Sequence, residues 1–398
     1  MRVIRRRSKK PLYILLVLSV LGGYGYWALT KPLPLLMPAQ ASQQILIPAA
    51  GSKLAWPASQ AAVGILGTDV LETHGNQTPA PIASVAKVIT CLVVLDKKPL
   101  KAGQTGPVIT LTPADVALYK NTMAQDGSLV SVVAGEQITQ YQMLQAIMLP
   151  SANNMADSLA IWAFGSLANY TTTANAFLAE HGLSETKVGV DASGLSPTTT
   201  STATDLVKLG ELAMQEPVLA EVVGQSTATG IPQTAFVKNV NSLLGTANIV
   251  GIKTGNTEQA GGVFLSASRL IIENKPTIIV TAVVGSPTLF VALKDSLTLV
   301  KSAQTNFEVV TVVDKYQEVG RYAVPWGGSI ATITEEEAGV STWNGSKYST
   351  QVNLRPVKVG STAAGSIPIT NQPPVKVRLA YKAAPPSAWW RLSHPISK

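Results

Sequence analysis

Pro81-Ile82-Ala83-Ser84-Val85-Ala86-Lys87-Val88-Ile89-Thr90 is the stretch on which the reading of this chain turns. Residues 84–95 carry apolar side chains at helical spacing and Pro99 lies beyond them, so a helix is expected to start at Ser84. Three residues apart, Ser84 and Lys87 share one face of it, and the helix N-terminus offers backbone N–H groups and the positive end of a dipole. Serine is a weak nucleophile unless a base stands within hydrogen-bond reach, and Lys87 supplies one. Alone, S-x-x-K is common by chance, and its plain structural reading is a capping serine followed by a solvated lysine.

Two further patterns change the weight of the first. Ser151-Ala152-Asn153 follows Pro150 at the junction of two apolar helical stretches, where a short turn presents both polar side chains; an ordinary N-cap is the structural alternative. Lys253-Thr254-Gly255 precedes a β-branched run, which places lysine and threonine at a strand edge with Gly255 permitting close approach of a ligand; the alternative is a surface turn. S-x-x-K, S-x-N and K-T-G in this order, on helix, loop and strand, coincide by chance far less often than any one of them occurs.

Outward from these motifs, residues 61–66 and 68–71 read as edge-of-sheet strands. Thr112-Pro113-Ala114-Asp115 offers an N-cap with proline at the first helical position, and Thr139 with Gln142 a capping box. Helical spacing covers 151–164, 174–181 (stopped by Gly182) and 201–215. Strands over 262–272 and 277–285 flank the hairpin signal Glu273-Asn274-Lys275-Pro276, and 288–303 reads as a helix. Helices between early and late strands give an α/β (α+β) class, with helices packed on a mostly antiparallel sheet. After Asn306 the short alternating runs 309–313, 329–334, 351–359 and 375–381 indicate a separate, small all-β domain.

Arg2, Arg5, Arg6, Arg7, Lys9 and Lys10 precede an uncharged stretch over 11–30, long enough to cross a bilayer and oriented with its N-terminus in the cytoplasm. The alternative is a cleaved signal peptide, for which Ala39-Gln40-Ala41 offers a cleavage box, though far from the apolar core. Either way the folded part is exported. The formal charge is +8, but residues 1–31 hold seven positive charges and no acid, so the remainder is about +1 and no basic stripe fits a phosphate backbone. Nucleic acid is set aside. Cys91, the single cysteine, excludes an intramolecular disulfide and reads as a small buried hydrophobe. His74, His181 and His394 are scattered without metal-ligand spacing, so no metal and no cofactor is expected. From Gln351 onward there are seven positive charges and no acid, and the tail holds Trp389 and Trp390, which suit either a membrane surface or a clasp on the β domain.

Taken together, the chain resembles the D-alanyl-D-alanine carboxypeptidases, the low-molecular-mass penicillin-binding proteins of serine peptidase family S11. Residues 81–90 resemble the family's nucleophile helix, and Leu149-Pro150-Ser151-Ala152-Asn153-Asn154 its S-G-N turn, with Ala152 in place of glycine. Asp191-Ala192-Ser193-Gly194-Leu195, Asn241-Ser242-Leu243-Leu244 and Gly251-Ile252-Lys253-Thr254-Gly255-Asn256-Thr257 continue the likeness, which extends over about 61–303. The stretch 285–294 lacks an arginine that some members place near the substrate carboxylate.

The resemblance implies a β-lactamase/DD-peptidase-like fold and assigns roles by position: Ser84 the acylated nucleophile, Lys87 its base, Ser151 a proton relay, and Asn153, Lys253, Thr254, Gly255 and Asn256 substrate contacts. Ser84 and Asn256 backbone N–H groups would form the oxyanion hole. Implied partners are peptidoglycan stems ending in D-Ala-D-Ala, β-lactam inhibitors and the cytoplasmic membrane. The expected organisation is 1–10 cytoplasmic, 11–30 transmembrane, 31–53 tether, 54–305 catalytic, 306–384 β domain and 385–398 basic tryptophan-containing tail. Other readings are a class A β-lactamase, against which no E-x-x-L-N pattern follows Ser151, a DD-endopeptidase or transpeptidase, and a catalytically silent wall-binding module.

Overall fold

Small apolar residues at 61–64 let one strand lie close beneath a helix: a Cβ on Gly64 would stand 2.5 Å from the Val207 side chain. The computed structural model describes residues 9–40 and 42–395, so Arg2, Arg5, Arg6, Arg7 and Ala41 lie outside the described residues. The chain divides into two units, one over Gly51–Phe307 and the other combining the chain up to Ala50 with that from Glu308.

The first unit is built on a five-stranded antiparallel sheet in the order Ile249–Thr257, Gly261–Ile272, Lys275–Ser286, Gln60–Ile65, Leu71–His74. Helices Ala203–Gln215 and Leu289–Gln304 pack on it, and residues 262–268 are buried without alternation, so both faces are covered. The strand expected at the edge over 61–66 is interior, paired on both sides; residues of this size can be buried on either face. The expected strand 68–71 is a turn, with Gly67 at φ 78°, and the edge strand starts at Leu71. At 273–274 the hairpin turns on Glu273 and Asn274 alone, both in the left-handed region.

The remaining helices form a second layer around Ala86–Lys97, whose residues Ala86 through Leu95 are all buried. A helix buried on every side is one that its neighbours position. The expected caps are present: Thr112 and Thr139 both form capping boxes, the second through a 3.2 Å bond from Gln142 N to Thr139 Oγ1. Expected over 174–181, the next helix runs instead over Leu167–Glu180, because Ser166 caps it by accepting from Asn169 N at 3.1 Å.

In the second unit a seven-stranded antiparallel sheet runs Met37–Pro38, Glu318–Ala323, Ser329–Thr334, Gln372–Leu379, Ala363–Ile369, Tyr348–Leu354, Ser42–Ile47. Met37–Pro38 and Ser42–Ile47 therefore supply the two outer strands, where a tether over 31–53 was expected. Edge strands are half solvated and lose the apolar alternation that marks an interior strand. Lys10–Thr30 is a 21-residue apolar helix, long enough to cross a membrane by length and composition. Near its end it meets the tail helix Ala388–Ser393: Tyr24 Oη donates to Leu392 O at 2.5 Å and Lys31 Nζ to His394 O at 2.7 Å. Of the two tryptophans, Trp390 lies edge-on to Trp326 at 5.5 Å, as a clasp on the β domain would have it, and Trp389 is 77% exposed.

Candidate active site

The backbone just before Ser84 is held in a state that residues with a side chain seldom adopt. Ala83 has φ 45°, and the 3-10 turn Ala83–Val85 precedes the α-helix that was expected to begin at Ser84 itself. Such a conformation costs of order 1–3 kcal/mol and persists only where its surroundings impose it. Two glycines allow those surroundings to close in. A Cβ on Gly194 would overlap the Ala83 carbonyl oxygen, and one on Gly255 would stand 2.7 Å from Ile82 O and 3.3 Å from Ser84 N. The 191–196 loop and the strand Ile249–Thr257 thus press on the turn that carries Ser84.

Three residues after Ser84, at the start of the α-helix, Lys87 is fully buried. Its Nζ lies 2.7 Å from Ser84 Oγ, 2.6 Å from Asn153 Oδ1 and 3.0 Å from Ser193 O. The last two can only accept, whereas the hydroxyl can give or take a hydrogen. A neutral amine, with two N–H groups and one lone pair, satisfies this set fully: it donates to Asn153 and Ser193 and accepts from Ser84. Burial and then the charge of Lys253 hold the Lys87 pKa well below the ordinary lysine value, opposed more weakly by Asp191 and Asp157.

Asn153 opens the helix Asn153–Phe164, and Ser151, two residues earlier, sits at φ 68° and is 5% exposed. The helical run expected from Ser151 therefore begins two residues later, with Ser151 in a left-handed turn. Among the described residues, Ser151 Oγ makes no hydrogen bond to Ser84 or Lys87. Ala152, in place of a glycine, has φ −61°, so nothing in the backbone there asks for glycine. Asn153 N donates to Ser128 O at 2.7 Å, and the Asn154 carboxamide clamps Val130 through its N–H and C=O at 3.1 and 2.9 Å.

Lys253 and Thr254 are buried near the middle of the outer sheet strand, one edge of which is unused by the sheet. Burial pushes the Lys253 pKa down to about 7. Asn256 is exposed on the same strand, opposite Gly262. Around Ser193 the loop is tied down by one carboxylate: Asp191 Oδ1 accepts from Ser193 N (2.8 Å), Ser193 Oγ (2.8 Å), Gly194 N (2.6 Å) and Leu195 N (3.2 Å), and Oδ2 from Ser196 N (2.9 Å). Asp157, its pKa raised to about 6 by burial, accepts from Ala192 N at 2.9 Å. Cys91 is buried, with its thiol pKa pushed up to about 12, which leaves it unreactive.

The structure therefore gathers Ser84, Lys87 and Asn153 in one hydrogen-bonded set, brings Gly255 against the Ser84 turn and places Lys253 within electrostatic reach. Sequence reasoning gave no role to Asp191 or the Ser193 carbonyl and did not single out Asp157. The signal for the first was local, an aspartate followed by Ser-Gly, which favours turns closed by a carboxylate.

A family model described as D-alanyl-D-alanine carboxypeptidase matches residues 58–287, more than half of the chain. A D-alanyl-D-alanine endopeptidase of Pseudomonas aeruginosa is 31% identical over 48% of this chain and 60% of its own length. A D-alanyl-D-alanine carboxypeptidase of Mycobacterium tuberculosis is 30% identical over 50% of this chain and 66% of its own. The chain thus spans less than two thirds of either relative. Among solved structures, penicillin-binding protein 5 from Haemophilus influenzae shares the fold over 84% of this chain and 98% of its own, at 17% identity and a TM-score of 0.56. The Streptomyces K15 DD-transpeptidase shares it over 64% of this chain and 98% of its own, at 20% identity and a TM-score of 0.54.

Proposed function

The chain belongs to the D-alanyl-D-alanine carboxypeptidase family of serine peptidases, S11, and from that premise we propose that it removes the terminal D-alanine from peptidoglycan stems through an acyl-enzyme on Ser84. The observation that carries the reading is the buried Lys87 amine, 2.7 Å from Ser84 Oγ, with its other two partners both acceptors. That set fits a base, and a silent wall-binding module has no need of it.

In this reading Ser84 Oγ attacks the carbonyl carbon of the penultimate D-alanine as its proton passes to Lys87. The oxyanion formed is held by the N–H groups of Ser84 and Asn256. Collapse breaks the C–N bond, and the leaving amine takes the proton back by way of Ser151. Water then attacks the ester carbon, releases the stem as a carboxylate and restores Ser84. Lys253 and Thr254 hold the terminal carboxylate, and Asn153 holds Lys87 and the stem. The helix Lys10–Thr30 serves as a membrane anchor with the folded chain after it outside, in keeping with its length and apolar composition. Relatives carry both carboxypeptidase and endopeptidase names, and in this reading the two activities would differ only in the amine that leaves.

The test is acylation of the detergent-solubilised chain by a labelled penicillin, read by intact mass, beside D-alanine release from a pentapeptide stem. Labelling and release that both vanish in Ser84→Ala support the assignment. Wild-type protein that does neither would overturn it in favour of a silent binding module.

A further inference from the structure

A hollow of about 450 Å³ opens beside Asn256, between residues 256–258, where the outer strand ends, and residues 287–290, where the helix Leu289–Gln304 begins. Backbone contact fixes the two walls. A Cβ on Gly261 or on Gly262 would overlap the carbonyl oxygen of Ser286 or of Thr288, and one on Gly262 would also stand 2.7 Å from Leu289 N, so glycine is what lets the helix start lie this close to the sheet. Thr288 caps the helix by accepting from Val291 N at 3.2 Å, and Thr257 Oγ1 closes the turn that carries Glu258 by accepting from Ala260 N at 3.1 Å. One wall of this frame carries Phe290, which is 76% exposed; the other carries Glu258, exposed and without a cation partner among the described residues. Among the described residues that line the hollow, Glu258 alone is charged. A solitary exposed phenylalanine means little. A ring and an unpaired carboxylate held on the walls of one hollow suit an aliphatic chain that ends in a cation, its methylenes on the ring and its ammonium at the carboxylate.

Position says which part of the substrate arrives there. In the reading above, Lys253 and Thr254 hold the terminal carboxylate and the Asn256 N–H holds the carbonyl of the penultimate residue, so the stem runs toward its N-terminus as the strand runs from Lys253 to Asn256. The outer edge of that strand is unused by the sheet, and an extended peptide can follow it at about 3.3 Å per residue. The next stem residue, the one before the two D-alanines, then lies beside Thr257 and Glu258. We infer that the hollow receives the side chain of that residue, and that Glu258 and Phe290 select one with an aliphatic chain ending in an ammonium. The inference rests on the DD-peptidase reading and adds to it the side chain by which one stem is preferred to another. Neither residue touches the scissile bond in this arrangement, so both act on the choice of substrate and not on the acyl transfer.

The experiment measures kcat/KM of the detergent-solubilised full chain for D-alanine release from two pentapeptides that end in D-Ala-D-Ala and carry either lysine or Nε-acetyl-lysine as the third residue. The readout is the ratio between them, which a merely structural loss does not move because it lowers both. Wild type is expected to prefer the free amine about fivefold, Glu258→Gln to bring the ratio to about one, and Glu258→Lys to take it below one. Phe290→Ala is expected to raise KM for both peptides about threefold, because both carry the methylenes. A wild-type ratio of one, or a ratio that Glu258→Gln leaves in place, would overturn the pocket, and an unmoved KM in Phe290→Ala would remove the ring from it. In each of those cases a wild type that labels with penicillin and releases D-alanine keeps the DD-peptidase reading; one that does neither overturns that reading and this inference with it.

Discussion

Lys87 Nζ lies 2.6 Å from Asn153 Oδ1, and because a carboxamide oxygen only accepts, the amine must donate there. The helix-opening asparagine therefore leaves the lysine lone pair free to face Ser84, without adding a negative charge that would keep Lys87 protonated. Asn153→Asp adds that charge. Acylation by a labelled penicillin at pH 7 is expected to fall about 100-fold, the size of a general-base contribution, with the rising limb of the pH profile moved to higher pH. Asn153→Ala should slow acylation without that displacement. A rising limb that stays in place in Asn153→Asp removes Lys87 from the role of base.

Gly255 is a geometric requirement of the same site. A methyl there would stand 2.7 Å from Ile82 O and 3.2 Å from Ala83 Cβ, and the strained turn has no slack to give. Gly255→Ala is expected to cost about 1–3 kcal/mol in urea unfolding, as overpacking does, and to slow penicillin acylation at least tenfold by displacing Ser84. Wild-type acylation in that variant would mean that strand and turn can separate freely.

These two residues mark how far the sequence was legible. Ser84, Lys87, Ser151, Asn153 and the Lys253 motif stood out as candidates in the sequence because catalysis needs particular side chains at particular spacings, and the structure joins Ser84, Lys87 and Asn153 by hydrogen bonds. Asp191 and Ser193 were not singled out for roles of their own, because Ser193 acts through its backbone carbonyl, which every residue has, and the Asp191 carboxylate is spent on groups of its own loop. In the fold, helices whose caps were recognised were read to within a few residues, whereas Leu167–Glu180, whose Ser166 cap was not, was expected to start seven residues late. Gln60–Ile65 was misplaced at an edge because pairing partners more than 200 residues away decide whether a strand is interior.

Lys253 is expected to set the falling side of the pH profile. Its ammonium has a pKa lowered to about 7, so it is charged below that pH and neutral above it. If it holds the substrate carboxylate, KM for a pentapeptide rises as pH passes from about 7 to 9, while kcat changes little because bound carboxylate keeps the ammonium protonated. An esterified terminus, which offers no carboxylate, should show no such rise. Parallel profiles for acid and ester would exclude the contact.

Asp157 links the site to stability. Its folded pKa, about 6, is above the ordinary 3.8, so its contribution to stability is full below pH 4 and is lost as pH rises through 6. Asp157→Asn removes the buried charge and can keep the bond from Ala192 N. Unfolding free energy is expected to rise by up to about 2 kcal/mol at pH 7–8 and not at pH 4. Because the Asp157 charge also supports the protonated form of Lys87, the rising limb of acylation should move to lower pH. Stabilisation equal at both pH values would point to packing and not to charge.

Leu36 tests the reassignment of the segment after the apolar helix. A tether residue makes no contacts worth measuring, yet Leu36 is fully buried in the core that includes Tyr322, Val352 and Ile367, and its backbone exchanges hydrogen bonds with Val357 at 2.8 and 3.0 Å. Leu36→Ala removes three carbons from that core and is expected to cost about 2–5 kcal/mol, the range for a leucine whose cavity cannot collapse. Gly51–Phe307 is a separate compact unit with its own core, so the loss should be confined to the transition of the β unit. In a thermal scan that resolves two transitions, only the one reported by near-ultraviolet signals of Trp326 and Trp343 should move down, with penicillin acylation unchanged at 25 °C. An unmoved transition would return residues 31–53 to the role of a tether and detach Met37–Pro38 and Ser42–Ile47 from the sheet.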